Sequence, residues 1–270
     1  MTEEQQSESK PVAPTVKQNP DFEILYWIGC AASYDRRAQR VARATVKLLN
    51  AAGVNFAILG KEEKCTGDSA RRLGDEFLFQ ELAEANIATL AKYKVRRIIA
   101  HCPHCVNALL KDYVQFGGEY EVLHHTQFLS QLLSDGRLKI EGEIPASLSG
   151  PLTYHDPCYL ARVNGIHEAP RDVLNQSLAG RAGEQGVREM TRCREKTSCC
   201  GAGGGRMWME EPPQQRVSTA RAGEALATGA TTVAVGCPFC LTMLTDGVAA
   251  NESSARVLDV AEILTERLGL

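Results

Sequence analysis

Thr231-Thr232-Val233-Ala234-Val235-Gly236-Cys237-Pro238-Phe239-Cys240 is an apolar run that ends in Cys-Pro-x-Cys. The β-branched stretch Thr231–Val235 reads as a buried strand, and a proline suits the first turn of the helix that follows. The arrangement occurs once before, in Val95-Arg96-Arg97-Ile98-Ile99-Ala100-His101-Cys102-Pro103-His104-Cys105. One C-x-x-C is a weak signal. Two copies, each at the end of a strand, point to a repeated fold.

Working outward, Cys65 stands 37 residues before Cys102, in Lys64-Cys65-Thr66-Gly67. Cys199 stands 38 residues before Cys237, in Cys199-Cys200-Gly201. Cys30 and Cys158 lie further out, so nine of the 10 cysteines form two matched groups and Cys193 is left over. Without a secretory signature, paired cysteines read as metal ligands before disulfides.

The intervening pattern alternates short apolar runs with stretches of helical spacing, which implies parallel βαβ units. The first half predicts strands at Phe22–Ile28, Val54–Leu59, Val95–Ala100 and Tyr120–Leu123. Its helices are expected at Ala38–Ala51, Ala70–Tyr93, after Pro103 and at Gln127–Leu133. The second half repeats this order. Strands are expected at Leu152–His155, Val187–Met190, Thr231–Val235 and Ala255–Val257, with helices at Pro170–Leu178, Arg216–Ala227, after Pro238 and at Val260–Leu268. The expected fold is therefore α/β: two tandem, pseudo-symmetric βαβ-type repeats with parallel sheets. Residues 1–20 read as a disordered polar tail, 21–135 as the first repeat, 136–151 (rich in Gly, Pro and Ser) as a linker, and 152–270 as the second repeat.

Of the 270 residues 44% are hydrophobic, and the net charge is −3. That balance argues against a general nucleic-acid binder. No run has the roughly 18 apolar residues of a membrane span, and no apolar core of a signal peptide stands at the N-terminus. A cytoplasmic location follows, with any membrane attachment made through partner subunits.

Parallel strands deliver their C-terminal ends to one edge, where ligands bind. Cys30, Cys102, Cys158 and Cys237 all sit at expected strand ends, so each repeat gathers thiols from distant points in sequence. Helix N-termini beginning at Pro103 and Pro238 would turn free N–H groups and a favourable dipole toward anionic sulfur. The first repeat offers four thiols, enough for zinc or for a cluster; the second offers five, more than tetrahedral zinc uses. On spacing alone both metals stay open.

Cys158…Cys199-Cys200-Gly201…Cys237-Pro238-Phe239-Cys240, with Tyr154-His155-Asp156-Pro157-Cys158 and the glycine run Gly201-Ala202-Gly203-Gly204-Gly205, resembles the CCG-domain signature. That signature occurs in heterodisulfide reductases and in the iron–sulfur subunits of glycolate, lactate and glycerol-3-phosphate oxidoreductases. Glu63–Asp68 and Gly205–Glu210 are similar to the C-terminal part of membrane-bound electron-transfer-flavoprotein oxidoreductases. The resemblance spans about residues 22–268. It implies a non-cubane [4Fe-4S] cluster on Cys158, Cys199, Cys200, Cys237 and Cys240. In the first repeat Thr66 replaces the second cysteine of the pair, which leaves Cys30, Cys65, Cys102 and Cys105 for an ordinary [4Fe-4S] cubane. Gly67, Gly201, Gly203 and Gly204 would let backbone pass close to the clusters. The implied role is an electron-transfer subunit of an oxidoreductase, partnered by a flavoprotein, a ferredoxin-like protein or a membrane subunit. The alternatives are a heterodisulfide-reductase-like catalyst and a zinc-organised interaction module.

Other residues carry lesser expectations. His101 and His104, beside Cys102, suit hydrogen bonds to sulfur. His155 stands to move protons near the second cluster, and Asp156 to cap the following turn. His124 and His125 read as a polar strand terminus, and Cys193 as a small core residue. Arg206 offers either charge compensation or plain exposure. Met207, Trp208, Met209 and Phe239 read as apolar filling beside the glycine loop.

Overall fold

The computed structural model of the protein describes residues 12–180, 186–212 and 215–270. Among the described residues seven short strands form two sheets. The first has the order β2(Phe56–Ala57)–β1(Ile24–Trp27)–β3(Arg97–Ala100)–β4(Glu121–His124), and the second the order β5(Leu152–Tyr154)–β6(Thr232–Val235)–β7(Arg256–Asp259). Every pairing is parallel: Leu25 opposes Ile98, Ile98 opposes Val122, Thr153 opposes Val233 and Val233 opposes Val257. The side chains of β1, β5 and β6 are buried throughout, as parallel strands covered on both faces must be.

Helices cover the sheets. In the first repeat they are α1(Gly29–Tyr34), α2(Arg36–Ala51), α3(Asp68–Arg72), α4(Glu76–Lys92), α5(Pro103–Asn107) and α6(His125–Ser134). In the second they are α7(Glu168–Ser177), α8(Val217–Leu226), α9(Pro238–Ala250) and α10(Val260–Arg267). The spacing of Val41, Ala44, Val46, Leu48 and Leu49 gives α2 its buried face, and the Asp35 carboxylate caps it by accepting from the Ala38 N–H at 2.7 Å. Such a cap contributes about 1 kcal/mol. α2 packs against α10, and α6 against α7. One apolar core therefore runs through both halves, joining Tyr26, Leu49 and Phe128 to Leu152, Leu174 and Leu264.

Four differences from the sequence reading have physical causes. Residues 12–20 are not a free tail: Val16 is buried, its N–H donates to Ile58 O, and Ile58 N–H donates to Pro14 O. Residues 1–11 of the expected tail lie outside the described residues. The helix expected over 70–93 is broken at Gly74, which takes a positive φ of 89°, and Asp75 starts a new helix by accepting from the Leu78 N–H. The strand expected at 187–190 is reduced to a single bridge between Thr153 and Arg188. The 136–151 segment packs Leu138 and Leu148 into the shared core, which holds it on the surface of both repeats.

Candidate metal centre

Each repeat builds its thiol group from three chain segments. In the first, α1 begins right after β1 and carries Cys30; the loop before α3 carries Cys65; and the start of α5, with Pro103 in its first turn, carries Cys102 and Cys105. These four thiols line one cavity together with Thr66, His104 and Phe239. In the second repeat Cys158 follows β5, Cys199 and Cys200 sit in a loop, and Cys237 and Cys240 open α9, again with proline in the first turn. Two stretches of widened, π-type helix, Ala108–Asp112 and Tyr159–Val163, lie directly downstream of Cys105 and Cys158. Such turns often mark functional sites.

The two loops match atom for atom in their main contacts. The Gly67 N–H donates to Cys65 Sγ at 3.4 Å, and the Gly201 N–H to Cys199 Sγ at 3.2 Å. Both glycines have positive φ, 81° and 94°, which folds the amide back onto the sulfur two residues earlier. A Cβ on Gly67 would also strike the Phe79 ring at 2.8 Å. In the second repeat Cys200 Sγ lies 3.3 Å from Cys240 Sγ; in the first, the Thr66 hydroxyl lies 3.8 Å from Cys105 Sγ. Thr66 thus occupies the place of the fifth thiol. Gly203 and Gly204 have open space where a Cβ would go, so no close neighbour demands a glycine there; the tight position is Gly205, whose Cβ would meet Leu73 at 2.6 Å.

All ten cysteines are free. The Cys200–Cys240 and Cys30–Cys65 sulfurs approach to 3.3 and 3.8 Å, far beyond the ~2.05 Å of a disulfide. The thiols interact electrostatically instead. Cys65 is lowered to about 7 by its bond to Cys30, with help from the Gly67 amide. Cys102 is held well below the usual thiol range by Cys105 and Cys237, and Cys199 by Cys158 and Cys200, then by the Gly201 and Gly203 amides. The other six of the nine matched thiols are pushed up, Cys200 to about 12 by its hydrogen bond to Cys199. A crowd in which three thiolates are favoured and the remainder resist ionisation lacks a positive charge, and a bound metal supplies that charge and displaces the protons. The donor set fits a thiolate-ligated group. The two crowds are neighbours: Pro238 and Phe239, between Cys237 and Cys240, line the cavity of the first four thiols, and Cys102 and Cys237 shift one another's ionisation.

The neighbouring residues depart from expectation in several places. His104 bonds to the Asp68 carboxylate at 2.8 Å and stacks on Tyr159, so it orients that carboxylate and does not bond sulfur. His101 Nδ1 pairs with the Tyr26 hydroxyl at 2.8 Å. Asp156 is no turn cap: it holds Arg171 through two 2.8 Å bonds and accepts from the Arg194 N–H. Cys193 lies with Glu189, Arg171 and Asp156, apart from the other thiols. Arg206 pairs with Glu211. Trp208 and Met209 are largely exposed, although the Trp208 ring meets Phe239 edge-on. His124 and His125 are fully buried, with His125 Nε2 on Asp259 at 2.8 Å. Sequence reading missed Glu63, whose half-buried carboxylate accepts from the Ile28 and Gly29 amides ahead of Cys30 and is raised by desolvation to about 7. It also missed Arg221, buried beside His155. The available signal for the second was its spacing, since Arg221 falls on the same helical face as Ser218, Ala222 and Ala225.

Parallel strand ends that gather nine thiols from two matched repeats define a cysteine-rich α/β metal-binding class. The chain belongs to the cysteine-rich (CCG) domain family, whose model matches residues 24–110 and again 152–245. Among curated proteins it is 46% identical over 259 residues to the "Probable iron-sulfur-binding oxidoreductase FadF" of Bacillus subtilis, covering 94% of this chain and 36% of that one. It is 46% identical over 254 residues to the "EtfAB:quinone oxidoreductase" of Syntrophomonas wolfei, covering 90% and 34%. It is 36% identical over 267 residues to one of the subunits of the dihydromethanophenazine:CoB–CoM heterodisulfide reductase of Methanosarcina barkeri, covering 96% and 62%. The chain thus spans about a third of the first two relatives. Among the described residues no helix is long and apolar enough to cross a membrane.

Proposed function

We propose that this chain holds two iron–sulfur clusters and passes electrons as one part of a larger oxidoreductase. Cys30, Cys65, Cys102 and Cys105 would hold a [4Fe-4S] cubane. Cys158, Cys199, Cys200, Cys237 and Cys240 would hold a second four-iron cluster, of the non-cubane kind. When bound, the clusters supply one-electron chemistry. The chain's own residues hold them, exclude water, and present the Gly67 and Gly201 amides to sulfur. The observation that carries this reading is the wall that the two thiol groups share: Pro238 and Phe239, which stand between Cys237 and Cys240, line the cavity of Cys30, Cys65, Cys102 and Cys105. Electrons need no long path between sites that share a wall. The names of the relatives, an iron–sulfur-binding oxidoreductase and a quinone oxidoreductase, support the redox class.

The donor would be a flavin- or ferredoxin-type partner and the acceptor a quinone-linked one, each supplied by other subunits or domains; attachment to a membrane would come through them. The repeats would divide at 21–135 and 152–270. A heterodisulfide-reducing catalyst with paired non-cubane clusters is disfavoured, because Thr66 puts a hydroxyl where a fifth thiolate would be needed in the first repeat. A redox titration of the anaerobically purified chain tests the proposal. It should show two one-electron transitions whose EPR signals broaden one another when both centres are paramagnetic. A colourless, redox-silent protein, or two magnetically independent centres, would contradict it.

A further inference from the structure

We infer that His155 is a hydrogen-bond donor held ready for sulfur on the Cys200–Cys240 side of the second cluster when that cluster is bound, and that Arg221 is the positioning residue that sets its tautomer. The inference rests on the proposed cluster of the second repeat and assigns a group that tunes it.

His155 follows the last residue of β5 and is fully buried. Its Nδ1 accepts from Arg221 Nε at 3.0 Å. A guanidinium has donors and no acceptor, so Nδ1 must present its lone pair. A neutral imidazole then carries its one proton on Nε2. That Nε2 is buried with no hydrogen-bond partner, yet a ring nitrogen of His155 and the sulfurs of Cys200 and Cys240 all lie within 4.8 Å of one another. The Nδ1 atom is already engaged by Arg221, so Nε2–H is the group free to meet the sulfurs.

Arg221 cannot easily turn away. Its own side chain is buried, with Nη1 2.7 Å from Glu224 Oε2 and Nη2 donating to Thr197 Oγ1 at 3.4 Å. Glu224 is pinned in turn by the Arg192 backbone and guanidinium. Thr197 donates to the carbonyl of Asp156, the residue after His155. This frame also speaks against His155 as a metal ligand. Ligation through Nε2 would move the ring proton to Nδ1, where it would face the Arg221 N–H. The first repeat has a related feature: Trp27, three residues before Cys30 as His155 is three before Cys158, is buried with its indole N–H unpartnered.

A hydrogen bond to a cluster sulfur favours the more negative, reduced state and raises the potential. The test is an EPR-monitored redox titration of the intact protein, with iron counted in every sample. His155→Leu should keep its iron, shift the second cluster to a more negative potential and leave the first unmoved. His155→Gln, whose Oε1 can accept from Arg221 while its amide N–H replaces Nε2–H, should restore a potential near the native one. An unmoved potential in His155→Leu, selective loss of iron from the second site, or a His155→Gln potential no different from that of His155→Leu would overturn the inference. The native protein labelled with ¹⁵N-histidine gives an answer even where a variant fails to fold. Pulsed EPR should show one weakly coupled, protonated nitrogen at the second cluster, and the strong coupling of a bonded nitrogen, or none, would overturn the assignment. Arg221→Met should weaken that nitrogen signal; an unchanged signal would remove Arg221 from the account. Absence of iron from the native chain would defeat the proposed function itself, whereas iron present with an unmoved potential would defeat only this inference.

Discussion

Asp259 is the buried group away from the thiols whose ionisation bears most on stability near neutral pH. It is fully buried at the end of β7, where burial raises its carboxyl to about 7, against the pull of the Ala261 amide and the charge of Arg37. His125 Nε2 lies 2.8 Å from its Oδ1 and is itself lowered to about 3 by burial, so that pair is a neutral imidazole beside a carboxyl that resists ionisation. A carboxyl whose folded pKa lies above its unfolded value of about 3.9 stabilises the fold fully below that pH. The contribution is lost as pH rises toward about 7. Asp259→Asn keeps an oxygen for the Ala261 amide and cannot ionise. Its unfolding midpoint relative to the native protein should therefore improve between about pH 5 and about pH 8; a constant difference would show that Asp259 does not titrate in this range. At the same scale, Cys200→Ser should damage the second cluster and spare the first, read as loss of about half the iron. Equal loss of both would show that the groups do not act as separate sites.

At the scale of elements, glycine decides how the loops and helices meet. Gly67 and Gly201 each fold an amide onto a cysteine sulfur at positive φ, and Gly67 has the Phe79 ring against it. Gly67→Ala should cost about 1–3 kcal/mol and reduce iron in the first site more than in the second, measured by denaturant unfolding and metal analysis. Gly247 lets α9 lie against α8: a Cβ there would stand 2.4 Å from the Ser218 carbonyl oxygen. Gly247→Ala should cost about 1–3 kcal/mol without moving either cluster's potential. Much of this scale was open to sequence reading. The strands ending at Ala100 and Val235, the prolines opening α5 and α9, and the matched cysteine spacings were all visible as pattern. The break at Gly74 and the short α1 were not, because both depend on local capping that a long helical periodicity hides. Nor were the roles of Asp156 and His104, since their partners, Arg171 and Asp68, lie 15 and 36 residues away and become neighbours only on folding. In the glycine run Gly203 has room for a side chain, Gly204 is constrained by a positive φ of 67° and not by a neighbour, and Gly205 is constrained by Leu73 as well as by its φ of 72°.

At the scale of the molecule, the two repeats are not independent lobes. α2 and α10, and α6 and α7, weld one core across the pseudo-symmetry, and the thiol groups adjoin where Pro238 and Phe239 line the first cavity. The internal repeat was readable from sequence; the contact between its two sites was not, because no spacing reports how two sheets face each other. That contact gives the electron-transfer proposal its physical basis. The most direct test is an iron and acid-labile sulfide count on the anaerobically purified chain. The account predicts about eight irons and a similar sulfide count per chain, the content of two four-iron clusters. Zinc in place of iron, or thiols binding no metal and no sulfide, would contradict it.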